Sequence, residues 1–347
     1  MSSLSILYCG DLRKGGTCLH RMQALKELGH DIASVDTAPE DVRNRQRRFS
    51  YLVRRKLFGP LDLAKANKQI VSKLKQRSYD VLWLDKALTI KPETLQKVKK
   101  MQRDCCIVGY SPDDMYAGHS QSRQFLKHLN MYDVFFTTKS YNVSELMSLG
   151  CPRVEFVGKS FNPNLHRPLS VYEEECVRLG GSVGFIGTAE KERAHSVAFL
   201  AEKGIRVKVW GNEWVRWQKK LRGKFAVAGP SQYGEQYTKI ICSFDINLGF
   251  LRKINRDQQT SRSIEIPACG AFMLAERTRE HLELFEEGKE AEFFSSNEEL
   301  LDKVRFYLAH PQHRKRIAAA GRQRCLESGY SNHDRLKWML EKVVSLR

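Results

Sequence analysis

The chain has 347 residues, enough for two domains of ordinary size. With 41% hydrophobic and 28% charged residues it fits a folded globular protein and excludes an intrinsically disordered one. A formal net charge of +18 favours anionic partners, namely nucleotide diphosphates, nucleic acid or an anionic membrane face, and leaves the fold open.

No apolar run reaches the roughly 18 residues of a membrane span. Met1 to Gly10 has no basic leader and reads as a strand at once, so no signal peptide is expected. Nine cysteines without a Cys-x-x-Cys pair suggest neither a disulfide framework nor a zinc site. The expected compartment is reducing, the cytosol, with a peripheral place at the inner membrane face as an open alternative.

In the first half, strand-like and helix-like segments alternate. Leu4 to Tyr8 predicts a strand, and Gly15-Gly16-Thr17 opens an amphipathic helix ending at Leu28-Gly29. Asp31 to Val35, Asp80 to Leu84, Cys105 to Tyr110, Asp133 to Thr137 and Val154 to Val157 continue the strand series. Helical patterns fall at Leu61 to Gln76, Pro92 to Met101 and Ser140 to Leu149. Arg43 to Phe58 sets basic residues around an aromatic and aliphatic centre. It suits an interfacial helix on anionic lipid, or nucleic acid, or a plain solvated face.

The run Phe161-Asn162-Pro163-Asn164-Leu165-His166-Arg167-Pro168 breaks the rhythm and predicts a crossing into a second domain. Alternation restarts at Ser182 to Ile186 and goes on through Ile205 to Trp210, Phe225 to Ala228, Ile240 to Phe250, Phe272 to Ala275 and Phe293-Phe294. Such a pattern predicts an α/β protein with parallel sheets. The expected division is a Rossmann-like domain over 1–165, another over 166–330, and a helix over 331–347 packing back toward the first.

Arg252, Lys253, Arg256 and Arg262 surround Thr260, Ser261 and Ser263, and Glu265 follows in an apolar segment closed by Pro267 and Gly270. Cations, hydroxyls and backbone N–H groups suit a diphosphate, and a carboxylate suits a sugar diol. The run Arg262-Ser263-Ile264-Glu265-Ile266-Pro267-Ala268-Cys269-Gly270 resembles the nucleotide-sugar signature of retaining glycosyltransferases with two facing Rossmann-like domains, the GT-B type. The resemblance is to the CgeB-like branch, related to glycosyltransferase family 4. It continues through Leu284 to Glu290, Glu298-Glu299-Leu300 and Ile317 to Gly321.

That resemblance implies a donor site, with a ligand cleft between the domains. Gly187 ends a strand where a phosphate can approach. The family carries an Arg one residue and a Lys six residues after this glycine; here stand Thr188 and Arg193, so Lys253 or Arg256 is expected to supply the missing charge. In the family's Glu-x7-Glu pair the second acid binds ribose and the first lies by the donor sugar; Glu265 matches the second and Asp257 the first. Trp210-Gly211 resembles the loop near the base, with Trp210 or Trp214 as a stacking platform, though burial is the commoner fate of a tryptophan. Gly15 and Gly16 match the glycine turn that faces the leaving phosphate.

Asp113 and Asp114 follow a strand end, as acceptor contact or base, with His119 behind them. A helix cap is the plainer alternative for the pair. No third ligand is spaced for a metal, and the family implies neither a metal nor a cofactor beyond the nucleoside diphosphate sugar itself. The expected activity is glycosyl transfer to a glycan or lipid-linked acceptor, probed against three rivals: a nucleic-acid binder, a nucleic-acid glycosylating enzyme and a non-catalytic sugar-nucleotide binder.

Overall fold

A computed structural model describes residues 2–346. The chain divides into two compact units, one of residues 1–158 and 332–347, the other of 159–331.

In the first unit six parallel strands are β1 (Ser5–Gly10), β2 (Asp31–Asp36), β3 (Val81–Asp85), β4 (Cys106–Ser111), β5 (Val134–Thr137) and β6 (Val154–Phe156), in the order β2-β1-β3-β4-β5-β6. The near-continuous apolar runs of β3, β4 and β5 are buried on both faces, as a parallel sheet covered by helices requires. Alternate residues serve opposite cores. Ile6, Tyr8, Val81 and Trp83 face one, while Leu7, Cys9, Leu82 and Leu84 face the other. Trp83 lies stacked on Tyr8, Tyr110 and Phe136. The helix Asn332–Val344 adds Leu336, Met339, Leu340 and Val343 to that aromatic core, against the helix Thr17–Glu27.

The second unit repeats the plan with β7 (Gly181–Ile186), β8 (Val207–Trp210), β9 (Ala226–Gly229), β10 (Phe244–Gly249), β11 (Met273–Glu276) and β12 (Glu292–Phe294), ordered β12-β11-β10-β7-β8-β9 and parallel throughout. From β7 the chain winds outward to β9, then returns to place β10 on β7's other side. The β7–β10 boundary is thus the topological switch point, where open α/β sheets gather ligands at the strands' C-terminal ends.

Three expectations change. Ile240 to Phe250 is not one strand: Gly234–Cys242 is helical and β10 starts at Phe244. Thr238, Ile240 and Ile241 are buried by a helix, and a short apolar run looks alike in either state. Arg43 to Phe58 forms two helices, Glu40–Gln46 and Phe49–Phe58, broken at Arg47-Arg48. The helix after Leu61 begins only at Ala66, because the Asp62 carboxylate takes the free N–H groups of Ala66 and Asn67.

Candidate functional site

The candidate site grows from two loops at the switch point. After β7 the chain reaches Gly187, whose carbonyl accepts from Trp214 Nε1 at 2.7 Å. Gly211, after β8, lies so close that a Cβ there would stand 2.1 Å from the Gly187 oxygen, and its φ of +138° is one that side chains rarely adopt. A glycine is required on both counts. Gly187 N bonds Trp210 O and Ala189 N bonds Asn212 O, so two backbone hydrogen bonds tie the two loops together.

Across the switch point, residues 250–260 lead into the helix Ser261–Ala268. Thr260 caps it through a capping box: its side chain takes the Ser263 N–H while Ser263 Oγ takes the Thr260 N–H at 2.9 Å. Ser263 Oγ also lies 2.7 Å from His281 Nε2, and His281 Nδ1 lies 2.6 Å from the Glu276 carbonyl. A carbonyl only accepts, so Nδ1 carries the proton and Ser263 donates to Nε2. Burial keeps this imidazole neutral by lowering its pKa to about 4. Gln259 ties the loop further, donating to Glu280 at 2.7 Å and accepting from the Lys159 N–H.

Two guanidinium groups flank the ring of Phe185. Arg262 lies 5.4 Å from its centroid and Arg193 5.5 Å. The phosphate contact expected of Arg193 gives way to a structural one: its side chain is buried and donates to the carbonyls of Leu251, Thr188 and Phe250. It clamps the two switch-point loops together. Burial, and then the positive charge of Arg262, lowers its pKa to about 10. Arg262 itself reaches toward Gly187, and its Nε is buried with no hydrogen-bond partner. Such a group waits for an acceptor.

One turn into the same helix, Glu265 is 7% exposed and accepts from the Tyr237 hydroxyl at 2.6 Å. His166 Nε2 lies 3.8 Å from its other oxygen. The Asp257 carboxylate takes the Asn255 amide at 2.8 Å and the Arg252 N–H at 3.3 Å. Lys253 pairs with Glu276 and Arg252 with Glu190. Arg256 ends a short turn with φ +45°. Thr188, Thr260 and Ser261 stand at the loop ends beside Gly187 and Arg262 in sequence.

For Trp210, of the two alternatives, the structure has burial and not base stacking. Its ring is buried, with Nε1 donating to Leu179 O at 2.8 Å and a glycine, Gly229, packed on its face. Trp214 is fully buried. No spacing in the sequence marks Tyr237 or His281 as partners of this helix, since both contacts are long-range. For His166 the one signal was its place in the proline- and asparagine-rich crossing.

In the first unit, Gly15 (φ +75°) and Gly16 form the turn into the helix Thr17–Glu27. Asp113 pairs with Lys86. Asp114 is fully buried and accepts from the N–H groups of Tyr116 and Ala117 and from the Asn142 amide, so a loop-capping role replaces the expected base. His119 is exposed. Sequence reasoning missed the buried pair Arg21–Asp85, at 2.7 Å, with the Tyr8 hydroxyl on the same carboxylate at the ends of β1 and β3.

A separate concavity of about 470 Å³, lined by Phe244, Gly270, Arg314 and Arg322, lies by the N-terminal ends of β10 and β11 and holds none of the expected site residues.

The family model described as glycosyl transferase-like matches residues 192–341. That stretch carries a glycosyl transferase-like domain. No curated protein sequence matches the chain. Among solved structures, it is similar to HepE from Anabaena in complex with UDP-glucose, at 12% identity and TM-score 0.67 over 99% of this chain and 100% of that one. It is also similar to a glycosyltransferase from Rickettsia africae, at 13% identity and TM-score 0.68 over 100% and 99%. Sucrose-phosphate synthase from Thermosynechococcus elongatus gives 11% identity and TM-score 0.69 over 99% of both chains. These likenesses give the fold: GT-B, two Rossmann-like domains.

Proposed function

We propose that this glycosyltransferase moves a sugar from a nucleoside diphosphate donor to a glycan or lipid-linked acceptor. The donor belongs to the second unit and the acceptor to the first. The observation that carries the reading is Arg262, a cation whose Nε lacks a partner, aimed at the glycine loop of the switch point with a second guanidinium behind it. A diphosphate supplies the missing acceptor, helped by the N–H groups of the Gly187 loop and of the helix after Thr260. Glu265, held by Tyr237, offers its second oxygen to the ribose hydroxyls. Asp257 is read as the acid that faces the donor sugar, with Lys253 and Arg256 at the rim.

The transfer is read as retaining and independent of metal: the cations neutralise the departing diphosphate, and positioning with electrostatics carries the rate. The signature from Arg262 to Gly270 supports a place in the CgeB-like branch, related to family 4. Work at the cytosolic membrane face, in peripheral contact, fits the basic surface. The nucleic-acid alternative gains no support from the relatives.

HepE was solved with UDP-glucose, so uridine donors come first in a test. Thermal-shift screening against UDP-, GDP-, ADP- and CMP-sugars is expected to give one clear stabiliser, lost in Arg262→Ala. Stabilisation by none of them, or an unchanged response in that variant, overturns the site.

A further inference from the structure

The helix Phe49–Phe58 turns its apolar side outward. Of its ten residues only Tyr51 is buried. Neighbouring helices of the same unit do the reverse: Ala66–Gln76 buries Ile70 and Leu74, and Pro92–Met101 buries Leu95 and Val98. Phe49, Leu52, Val53 and Leu57 recur at i, i+3, i+4 and i+8, so they form one stripe on the side away from Tyr51. Phe49 is 80% exposed, Leu57 64%, and Phe58, at the helix end, 69%.

Charge borders that stripe, and Lys56, seven residues after Phe49, falls on it. Between Arg43 and Phe58 the sequence holds seven cations and no carboxylate. Arg43 is bound to Ala38 O and lies near Asp11. The other six, Arg45, Arg47, Arg48, Arg54, Arg55 and Lys56, are exposed. A stripe of large apolar side chains edged by cations fits a surface that is apolar just beneath a layer of anions.

We propose that the helix Phe49–Phe58 is a membrane-docking element, lying in the headgroup region of an anionic bilayer. Its apolar stripe enters the acyl boundary, and the arginines around Arg47-Arg48 and Arg54-Arg55 meet lipid phosphates. A second copy of the chain is the poorer occupant, because a two-fold contact would set the same cations against each other. Nucleic acid would satisfy the cations and leave Phe49, Leu52 and Leu57 against water or phosphate. No helix among the described residues is long and apolar enough to cross a membrane, so attachment through this helix is peripheral. The proposal stands on the first unit alone and does not depend on the donor site.

Vesicle co-sedimentation of the full chain tests it, with phosphatidylcholine alone and with phosphatidylcholine containing phosphatidylglycerol. Binding is expected only to the anionic vesicles and is weakened by high salt. Phe49→Ser with Leu57→Ser, and separately Arg47→Gln with Arg48→Gln, each lower the affinity by about tenfold or more. These side chains are exposed, so all variants keep the wild-type melting temperature and the wild-type response to sugar nucleotides. Equal binding to both vesicle types, no binding, or wild-type binding by the serine pair overturns the proposal. So does a serine pair that turns a dimer into a monomer in sedimentation velocity, or capture of duplex DNA without vesicle binding.

Discussion

The Tyr237 hydroxyl donates to the Glu265 carboxylate at 2.6 Å, joining two helices of the second unit. The pair separates two roles of one acid. In Glu265→Ala the buried tyrosine hydroxyl loses its acceptor, which costs about 1–3 kcal/mol of stability. Donor affinity falls further, by about tenfold to a hundredfold. Tyr237→Phe leaves the carboxylate in place and costs about 1 kcal/mol with a smaller loss of affinity. Denaturant unfolding and donor titration of both variants check this; equal donor loss in the two would take Glu265 away from the ligand.

Arg193 and Arg262 flank the same ring and are expected to fail differently. Arg193→Ala strips two buried carbonyls and one part-buried carbonyl of their donor and should cost about 3–5 kcal/mol, enough to unfold the second unit on warming. Arg262→Ala removes a like charge beside Arg193, so stability stays within about 1 kcal/mol of wild type or rises. Its donor affinity drops instead, by about tenfold to a hundredfold. Melting curves with and without UDP-glucose separate these outcomes.

Gly211→Ala places a methyl group 2.1 Å from the Gly187 carbonyl at a φ of +138°. The expected cost is about 2–4 kcal/mol. Because the Gly187 loop must shift to relieve the contact, stabilisation by a nucleotide sugar should shrink as well. Hydrogen exchange at the Ala189 and Gly187 N–H groups reads the shift directly.

Acid should weaken the fold before its carboxylates titrate fully. Burial lowers both His281 and His128 to about 4, well below their usual value. The unfolded chain therefore binds more protons between pH 6.5 and about 4. Stability is fully present above that window and is lost as pH falls through it, by up to about 3 kcal/mol for each ring. His128 packs edge-on to Phe125 and Tyr132, so His128→Phe should flatten the pH dependence while changing little at pH 7. Urea unfolding across that range checks it.

Much of the fold was legible because parallel strands buried on both faces read as short apolar runs, as in Val81 to Leu84 and Ile107 to Tyr110. Ile240 to Phe250 was misread for the same reason: an apolar helix end runs into an apolar strand. The site was legible where a residue's neighbours in sequence are its neighbours in space, as with Thr260, Arg262 and Glu265 on one helix. Arg193 shows the limit, since its charge was plain while two of its three carbonyl partners lie nearly sixty residues away. Trp210 stayed open likewise, because nothing local says whether an indole lies on a ligand or under a glycine.

The first unit's aromatic core takes Leu336, Met339, Leu340 and Val343 from beyond the second unit's last residue. During synthesis, then, the later-begun half is finished first. Residues 159–331 can close on themselves, with Phe161 N bonded to Tyr330 O where the segment's two ends meet. Trp83 and its stacked rings must wait, one side open, until the ribosome has made residue 343. A nascent chain stalled before that point exposes an aromatic surface for chaperones to cover.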